Sequence, residues 1–419
     1  MEYLLRGDIC YSENLKTLIC KENAYLHIKD GLCQGVYESL PKELSSVEIK
    51  DYSGDLIIPG MVDLHLHAPQ YGFRGTKMDL ELLDWLNVNT FPEEAKYQNL
   101  DYAERGYQDF VEDLRGSATT RAVIFATLHK DATLLLMKLL EESGLVSYVG
   151  KVNMDRNSPE YLTEHTAEES LKNTKEWLSE IPKDWQNCKP ILTPRFTPTC
   201  SDALMEGLGK LAKEYKLPVQ SHLSENLGEI AWVKELCPDA KHYGDTYDRY
   251  GLLENSIMAH CVYTEGEELS ALKARGTMIC HCPQSNTNLC SGAAPIRYFL
   301  EENVKVGLGT DVAGGANLSM LRAITDAISV SKLRFRLMDQ SLSPLTLEEA
   351  FCLATLSGGS FFGKVGSFLP GYEADALVFH EKRRSVRKQT VKERLEVLLY
   401  TGEESARLQA KFVQGRQLF

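Results

Sequence analysis

The segment PGMVDLHLHAPQY, residues 59–71, places two histidines two positions apart on one predicted strand. Asp63, His65 and His67 alternate there with apolar residues. Alternate side chains of a β-strand point to the same face, about 7 Å apart along the chain. The two imidazoles therefore share a face at a separation that suits two ligands of one metal ion. The pattern predicts a metal site that begins on this strand.

Two further metal-ligating side chains follow later apolar runs. His222 stands in QSHLSEN and Asp311 in GLGTDVAGG, each at the end of a predicted strand. With His65 and His67 they offer imidazole nitrogens and a carboxylate oxygen, which suit zinc with a solvent molecule completing the site. Iron fits the same ligands, so the metal stays open. A lone histidine is more often structural, but core packing of a barrel strand favours Val, Ile or Leu over an H-x-H pair.

Two more polar residues are suited to acid–base chemistry beside such a metal. Glu225 comes three residues after His222, near the start of the next predicted helix, where it can handle the proton of an activated water. His260, in MAHCVY, is predicted either as an extra ligand or as a hydrogen-bond partner of that water. The structural alternatives are a helix-start carboxylate for Glu225 and a buried, hydrogen-bonded histidine for His260.

These side chains need a scaffold that gathers strand ends, and the rest of the sequence predicts one. From residue 59 onward, about eight short apolar runs alternate with amphipathic helical stretches. A doubly wound open sheet shares this alternation. A parallel α/β barrel is favoured because its strand C-termini converge on one mouth, whereas an open sheet would spread the polar strand ends along its edge. We therefore predict a (β/α)8 TIM-like barrel over residues 59–366.

The two ends of the chain have a different pattern. Residues 1–58 and 367–419 contain short alternating segments separated by polar or glycine-containing turns, as β-hairpins do. We expect them to form one small composite β domain of sandwich type, because chain termini commonly lie close together. Within the barrel region, Thr166, Thr264 and Thr346 each precede a glutamate by three positions, which predicts three capping boxes at helix starts.

Composition limits the classes of function. The chain has 419 residues, 43% of them hydrophobic, and a formal net charge of -13, which argues against binding to nucleic acid or anionic membranes. The basic run KRRSVRK, residues 382–388, is interpreted as a solvated loop. No signal-peptide pattern and no apolar run of about 18 residues is present, so a cytoplasmic location is expected. The 11 cysteines are expected to be reduced and mostly buried.

Six segments together resemble the motif set of the amidohydrolase superfamily and, within it, of the guanine deaminase family: PGMVDLHLHAPQY, TPRFTPTCS, QSHLSEN, MAHCVY, HCPQSNTNL and GLGTDVAGG. The first motif alone would indicate only the superfamily. Its continuation APQY and the segment DLELLDWLNVNTFPEEA are typical of the narrower family. The resemblance covers nearly the whole chain. It implies a barrel with a composite β domain, one zinc ion, a homodimer, and the reaction of guanine with water to give xanthine and ammonia.

The resemblance also implies roles for individual residues. The matched zinc ligands are His65, His67, His222 and Asp311. Glu225 matches the proton-shuttling acid, His260 the residue that polarises water or substrate, and Asp311 also assists the departing amine. The residues that match the purine-binding set are Gln70, Arg195, Phe196, His222, Glu225 and His260. The implied mechanism is attack of the metal-activated water on C2 of guanine while Glu225 moves a proton to the adjacent ring nitrogen.

Other readings stay open at this point. A related amidohydrolase acting on another purine, a pterin or a triazine would share the metal site, so only pocket residues would distinguish it. An inactive scaffold would have lost metal ligands, whereas every expected ligand is present. A second metal would need a bridging group, but Lys151 has the pattern of an ordinary strand residue. His281 matches a family motif without a defined role, and residues 72–97 are long enough for a lid.

Overall fold

The structure is a computed structural model that describes residues 1–383 and 385–419. Arg384, which belongs to the basic run expected to be a solvated loop, lies outside the described residues. Its neighbours in that run are exposed to solvent. Among the described residues, no helix combines the length and the apolar character needed to cross a lipid bilayer.

Strands occur along the whole described chain. In chain order they are β1 (Glu2–Ser12), β2 (Leu18–Lys29), β3 (Leu32–Tyr37), β4 (Glu48–Pro59), β5 (Met61–His67), β6 (Thr119–Phe125), β7 (Val146–Gly150), β8 (Val152–Asn153), β9 (Cys188–Pro190), β10 (Thr193–Pro194), β11 (Val219–Leu223), β12 (Ser256–His260), β13 (Met278–His281), β14 (Lys305–Leu308), β15 (Ala376–Glu381), β16 (Ala406–Val413) and β17 (Arg416–Gln417).

Helices fill most of the connections between the central strands. The α-helices are α1 (Leu82–Trp85), α2 (Phe91–Ala95), α3 (Leu100–Gly116), α4 (Lys130–Ser143), α5 (Ala167–Glu180), α6 (Asp202–Tyr215), α7 (Leu227–Leu236), α8 (Asp245–Asp248), α9 (Gly266–Arg275), α10 (Pro283–Asn288), α11 (Ile296–Glu301), α12 (Met320–Leu337), α13 (Leu347–Cys352) and α14 (Val391–Thr401). A π-helical turn, Leu86–Thr90, joins α1 to α2.

The central strands form parallel ladders. Two four-stranded sheets have the orders β5-β6-β7-β9 and β11-β12-β13-β14, and β8 pairs with β10. A parallel bridge between Leu192 and Val219 joins the first set to the second. At the other side, the Asp311 N–H, just beyond β14, donates to the His65 carbonyl of β5 at 2.8 Å. This arrangement is of TIM-barrel type, and it brings the ends of β5, β11, β12 and β14 to one rim.

Both ends of the chain meet in one further sheet. Its seven strands have the order β17-β16-β15-β4-β1-β2-β3, so segments from the start and the end of the sequence lie side by side. Leu5, Ile9, Ile57 and Phe412 are fully buried in its apolar core. These strands form a single hydrogen-bonded sheet, and the sandwich arrangement expected for this part of the chain stays a prediction.

Two of the predicted helix starts are confirmed and one is wrong. Thr166 caps α5 by accepting from the Glu169 N–H, and Thr346 forms a complete capping box with Glu349 at α13. The residue before α9 is Glu265, which makes no side-chain cap. The Thr264 hydroxyl donates instead to the carboxylate of Glu268, four residues later, at 2.7 Å, so a contact between two side chains replaces the cap.

The cysteines of the described chain are all free of disulfide bonds, as expected from the sequence. All of them are buried except Cys20 and Cys290. Burial in apolar surroundings raises the pKa of thiols such as Cys200 to about 12. These side chains therefore behave as small apolar groups in the core at neutral pH.

Candidate active site

Strand β5 supplies the first two candidate ligands. It is buried along its whole length, and His65 and His67 leave it on the same face with their ring centroids 4.9 Å apart. Asp63 lies on the same strand and accepts hydrogen bonds from the Thr310 N–H at 3.0 Å and from the Thr310 hydroxyl. Asp63 thereby holds the backbone between the end of β14 and Asp311 in place.

His222 of β11 and Asp311 after β14 complete the set that the sequence predicted. His65 Nε2 lies 3.1 Å and His67 Nε2 lies 3.3 Å from Asp311 Oδ1. His222 Nε2 lies 3.3 Å from His67 Nε2. The structure therefore gathers side chains from three strands around one point.

The donor atoms of this cluster fit a divalent cation. His222 Nδ1 lies 2.7 Å from the Arg195 carbonyl oxygen, which can only accept, so Nδ1 carries the proton and Nε2 presents its lone pair to the cluster. His65 Nε2 is buried and has no hydrogen-bond partner among the described residues. One ligand atom each from His65, His67 and Asp311 lies within 4.8 Å of the other two. A metal ion would satisfy these atoms.

Electrostatics keep these groups in the form that binds a metal. Burial lowers the pKa of His65, lowers that of His67 to about 4, and lowers that of His222 well below its ordinary value, so the imidazoles are neutral at pH 7. Burial opposes ionisation of Asp311, but His65 and His67 hold its pKa well below the usual range. Neutral imidazole and carboxylate are the forms that coordinate zinc.

Glu225 and His260 lie beside this cluster. Glu225 stands between β11 and α7, and its Oε2 is 3.4 Å from His260 Nε2. Its Oε1 accepts a hydrogen bond from the Ser291 hydroxyl at 2.9 Å. Burial, followed by the charge of Asp311, raises the pKa of Glu225 to about 8. A carboxyl group with such a pKa can both accept and return a proton near neutral pH.

His260 is held from its other side. Its Nδ1 lies 2.8 Å from Asn286 Oδ1 within the short helix α10, and its Nε2 lies 3.8 Å from Asp311 Oδ2. Ser224, His260 and Asp311 all have left-handed backbone conformations, with φ of 47°, 72° and 49°. Each costs roughly 1–3 kcal/mol for a residue other than glycine, and such strain concentrates at functional sites.

A cavity opens over the cluster. It encloses about 430 Å³ of space that protein atoms do not fill, part of which is open to solvent. His67, His222, Glu225, His260 and Asp311 line it, and so do Gln70, Arg195 and Phe196. Its remaining walls include Leu82, Trp85 and Leu86 from the segment that follows β5. That segment is the one that the sequence analysis expected to act as a lid, and its motion stays a prediction.

Sequence reasoning missed the residue that organises the polar wall of this cavity. Glu94 of α2 accepts from Arg195 Nη1 at 2.6 Å and from Arg195 Nη2 at 3.2 Å. It also accepts from Gln70 Nε2 at 2.8 Å. Glu94 is 1% exposed. The one available signal in the sequence is the place of Glu94 three residues after Phe91, on the same helix face. Both residues belong to the segment DLELLDWLNVNTFPEEA, which is typical of the family that the chain resembles.

Three further partners of Glu225 and His260 were missed as well. Ser291 and Asn286 contact them directly, as described above. Glu229 accepts from the Glu225 backbone N–H at 3.1 Å and from the Tyr243 hydroxyl at 2.6 Å, and thereby holds the start of α7 in place. Ser291 lies in a loop and Asn286 in the short helix α10, and neither position carries a local signal. The N-x-x-E spacing of Asn226 and Glu229 is a capping-box pattern, which could have revealed the contact at the start of α7.

Two other candidates lie outside the cavity wall. Lys151 is buried in an ion pair with Glu164 at 2.7 Å, which agrees with its interpretation as a structural residue rather than a bridging ligand. His281 is buried at the end of β13, and its Nδ1 has no hydrogen-bond partner among the described residues. Its ring is not among the groups that line the cavity.

The chain is similar to proteins of one family over most of its length. The profile of the Amidohydrolase family matches residues 56–404. The guanine deaminase of Rattus norvegicus is 44% identical over 355 residues, which are 82% of this chain and 78% of that protein. The guanine deaminase of Escherichia coli (strain K12) is 36% identical over 413 residues, 95% of this chain and 91% of that protein.

A solved structure is similar over the full chain. It is the crystal structure of guanine deaminase from C. acetobutylicum with bound guanine in the active site. Its sequence is 43% identical, the match covers 100% of both chains, and the TM-score is 0.97.

Proposed function

The chain belongs to the amidohydrolase family, and we propose that its barrel-mouth cavity binds guanine and hydrolyses it to xanthine and ammonia. The observation that carries this function is the meeting, in one cavity, of the histidine–aspartate cluster, Glu225 and the hydrogen-bond donors of Arg195. The enzyme is a hydrolase that breaks the bond between C2 and the exocyclic amino nitrogen.

We propose zinc as the resident metal, held by His65, His67, His222 and Asp311. The buried Nε2 atoms and the neutral state of the three imidazoles support this assignment. Ferrous iron fits the same donor set. When bound, the metal supplies a Lewis acid that lowers the pKa of water toward about 7, so that a nucleophile is available at neutral pH.

Glu225 then carries protons between water and substrate. It accepts a proton from the attacking water and delivers it to the ring nitrogen next to C2, while the C2–O bond forms. Glu225 and Asp311 then move the remaining proton of the added hydroxyl to the amino nitrogen, the C2–N bond breaks as the C2 carbonyl forms, and the nitrogen leaves as ammonia. The Ser291 hydroxyl and the Glu229–backbone contact keep Glu225 aimed at this position. His260, 3.4 Å from Glu225, orients the water or the substrate.

The opposite wall of the cavity binds the purine ring. Arg195 and Gln70 present N–H groups, which suit a ring carbonyl as acceptor. Phe196 supplies an aromatic wall for a flat ring and packs edge-on against Trp232, with the centroids 6.3 Å apart. His222, Glu225 and His260 line the other side, where they contact the reacting end of the substrate.

The test of this function is substitution of Glu225 by glutamine. Glu225→Gln removes the proton carrier but keeps the shape and the metal cluster, so ammonia release from guanine should fall by about 10²–10⁴-fold. Metal content, measured by elemental analysis, should stay at the wild-type level. Glu235→Gln, on the exposed face of the same helix α7, is the matched control and should keep full activity.

The same assay separates guanine from other substrates. Purified enzyme is incubated with guanine, adenine, cytosine and 8-oxoguanine, and ammonia is followed over time. The proposal requires guanine to be the preferred substrate. Equal or faster release from any of the others, or full activity of Glu225→Gln, would contradict it.

We also propose the larger-scale organisation that the sequence suggested. The barrel, a closed (β/α)8 unit, spans residues 59–366, and a composite β-sandwich domain spans residues 1–58 and 367–419. The passage from β4, which ends at Pro59, to β5, which begins at Met61, supports the first boundary. A homodimer and a cytoplasmic location rest on the sequence alone, and light scattering of the purified enzyme tests the dimer.

A further inference from the structure

We infer that Glu94 is a positioning residue that turns one wall of the cavity into a surface of hydrogen-bond donors, and so sets the preference for purines that carry a ring carbonyl. The inference deepens the proposed guanine deaminase function and rests on it. Glu94 lines no part of the cavity itself. It acts through Arg195 and Gln70, which do.

The contacts of Glu94 use both of its oxygens. Oε2 accepts from Arg195 Nη1 at 2.6 Å, and Oε1 accepts from Arg195 Nη2 at 3.2 Å and from Gln70 Nε2 at 2.8 Å. The side chains of Arg195 and Glu94 are 3% and 1% exposed, so water does not compete for these bonds. A bidentate guanidinium–carboxylate pair fixes the plane and the direction of the guanidinium.

Helix α2 holds Arg195 in a second way. The guanidinium carbon of Arg195 lies 5.2 Å from the centroid of the Phe91 ring, which stands one turn before Glu94. Helix α2 therefore contacts the edge of the guanidinium through the Glu94 carboxylate and its face through the Phe91 ring. The guanidinium N–H groups that Glu94 does not take are left for a ligand in the cavity.

Glu94 also decides which way the Gln70 amide points. A carboxylate only accepts, so the amide nitrogen of Gln70 must face Glu94. The Ala313 N–H donates to Gln70 Oε1 at 3.3 Å, which holds the amide oxygen on the other side. Without Glu94 only the longer Ala313 contact would hold this orientation, and Gln70 could more easily present an acceptor where it now presents a donor.

Donors from both Arg195 and Gln70 discriminate between ring substituents. A ring carbonyl oxygen accepts hydrogen bonds from these N–H groups. An amino group in the same place would point its own N–H groups at them, and the buried polar atoms would be left unpaired. Sites built around such hydrogen bonds reject the wrong analogue far more strongly than sites that rely on shape. Glu94 therefore contributes to specificity without touching the substrate.

The test measures binding of two purines that carry no amino group and are not deaminated. Hypoxanthine has the ring carbonyl and unsubstituted purine lacks it. In the metal-loaded enzyme, Glu94→Gln should weaken hypoxanthine binding by at least about 10-fold, measured by calorimetry, and change purine binding by less than about 3-fold. Glu93→Gln is the matched control, because Glu93, the neighbour of Glu94 on α2, pairs instead with the exposed Lys96 just after this helix.

Turnover gives a second readout. With guanine, Glu94→Gln should raise KM more than it lowers kcat, because the reacting groups around Glu225 are unchanged. In the Arg195→Met background, the further change Glu94→Gln should have little additional effect on hypoxanthine binding, because Glu94 acts mainly through Arg195. If Glu94→Gln does not fold, Glu94→Asp keeps the charge at a shorter reach and should show a smaller loss confined to hypoxanthine.

Equal losses for hypoxanthine and purine, or no loss for either, would overturn the inference in favour of a purely structural role. Full additivity of the two substitutions would overturn it too. If the wild-type enzyme failed to deaminate guanine, the proposed function would fall, while the comparison of the two ligands would still decide the role of Glu94.

Discussion

His222 shows how a single backbone contact prepares a side chain for chemistry. The Arg195 carbonyl holds the proton on Nδ1 and leaves Nε2 as the lone-pair donor. Arg195 therefore has two roles at the site, since its carbonyl orients a candidate ligand and its guanidinium lines the cavity wall that is proposed to bind the purine. A change in the path of the chain at this residue would disturb both the metal cluster and the substrate wall.

Removal of one imidazole tests the metal cluster at the scale of the residue. His65→Asn should weaken metal affinity by more than about 100-fold, because even partners outside the ligand set are worth about 10–100-fold. Activity should fall with metal content, and excess zinc should restore part of it. Metal is measured by elemental analysis after dialysis. The exposed His165→Asn is the control, and equal metal loss in both variants would contradict the assignment.

At the scale of elements, the start of α7 places Glu225, the proposed proton carrier. Asn226 caps this helix by accepting from the Gly228 N–H at 2.8 Å, and Glu229 returns a bond to the Asn226 N–H at 3.3 Å. The same carboxylate of Glu229 binds the Glu225 N–H. The capping box thus fixes both the helix and the residue that precedes it, which is why Glu225 reaches the cluster from a loop position.

Loss of this cap should affect stability and activity together. Asn226→Ala should lower the free energy of unfolding by about 1 kcal/mol, the usual cost of an N-cap. It should also lower kcat, because the Glu225 backbone is less firmly held. Denaturant unfolding and guanine turnover measure the two effects. Lys234→Ala, exposed later on the same helix, should change neither stability nor activity. An Asn226→Ala variant that is destabilised and yet fully active would refute the link.

The segment between β5 and α3 is the second element that shapes the site. Its π-helical turn, Leu86–Thr90, leads from α1 directly into α2, so that Trp85 lines the cavity and Glu94 contacts Arg195 behind the cavity wall. An isolated pattern of apolar residues here predicts only a loop or lid. The exact helical phase, which brings Glu94 rather than Glu93 inward, depends on packing against the barrel.

At the scale of the whole molecule, Lys411 joins the seven-stranded sheet to the barrel. It lies on β16, is fully buried, and donates to the carbonyl oxygens of Arg115 and Ser117 at 2.8 and 3.0 Å, at the end of α3. Burial, with Arg115 nearby, lowers the pKa of this amine from 10.5 to about 7. The unfolded chain therefore binds more protons than the folded chain between about pH 7 and pH 10.5.

This difference predicts a pH dependence of stability. Because the unfolded state holds the extra proton in this window, the free energy of unfolding should rise with pH through Lys411. Between pH 7.5 and pH 9.5 the wild type should gain about 2 kcal/mol relative to Lys411→Met. Lys411→Met also leaves carbonyl groups unpaired, which adds a constant cost at every pH. Denaturant unfolding at the two pH values tests this, and a constant difference would contradict it.

The sequence by itself determined the candidate reacting groups and their strands. The H-x-H pair needs only the two-residue period of a β-strand, and His222, His260 and Asp311 needed only their places at strand ends. The structure brings these groups together, as the barrel topology requires, and the composite sheet from both chain ends followed from local strand patterns in the same way. Periodicity and chain order are local properties, so one sequence is enough to reveal them.

Only the tertiary structure decided which polar side chains are buried together. Glu94 with Arg195, Asn286 with His260 and Ser291 with Glu225 are separated by 101, 26 and 66 positions in the chain. No local pattern distinguishes an acid that faces solvent from one that faces a buried guanidinium. Burial depends on long-range packing, and packing determines which contacts exclude water and become strong.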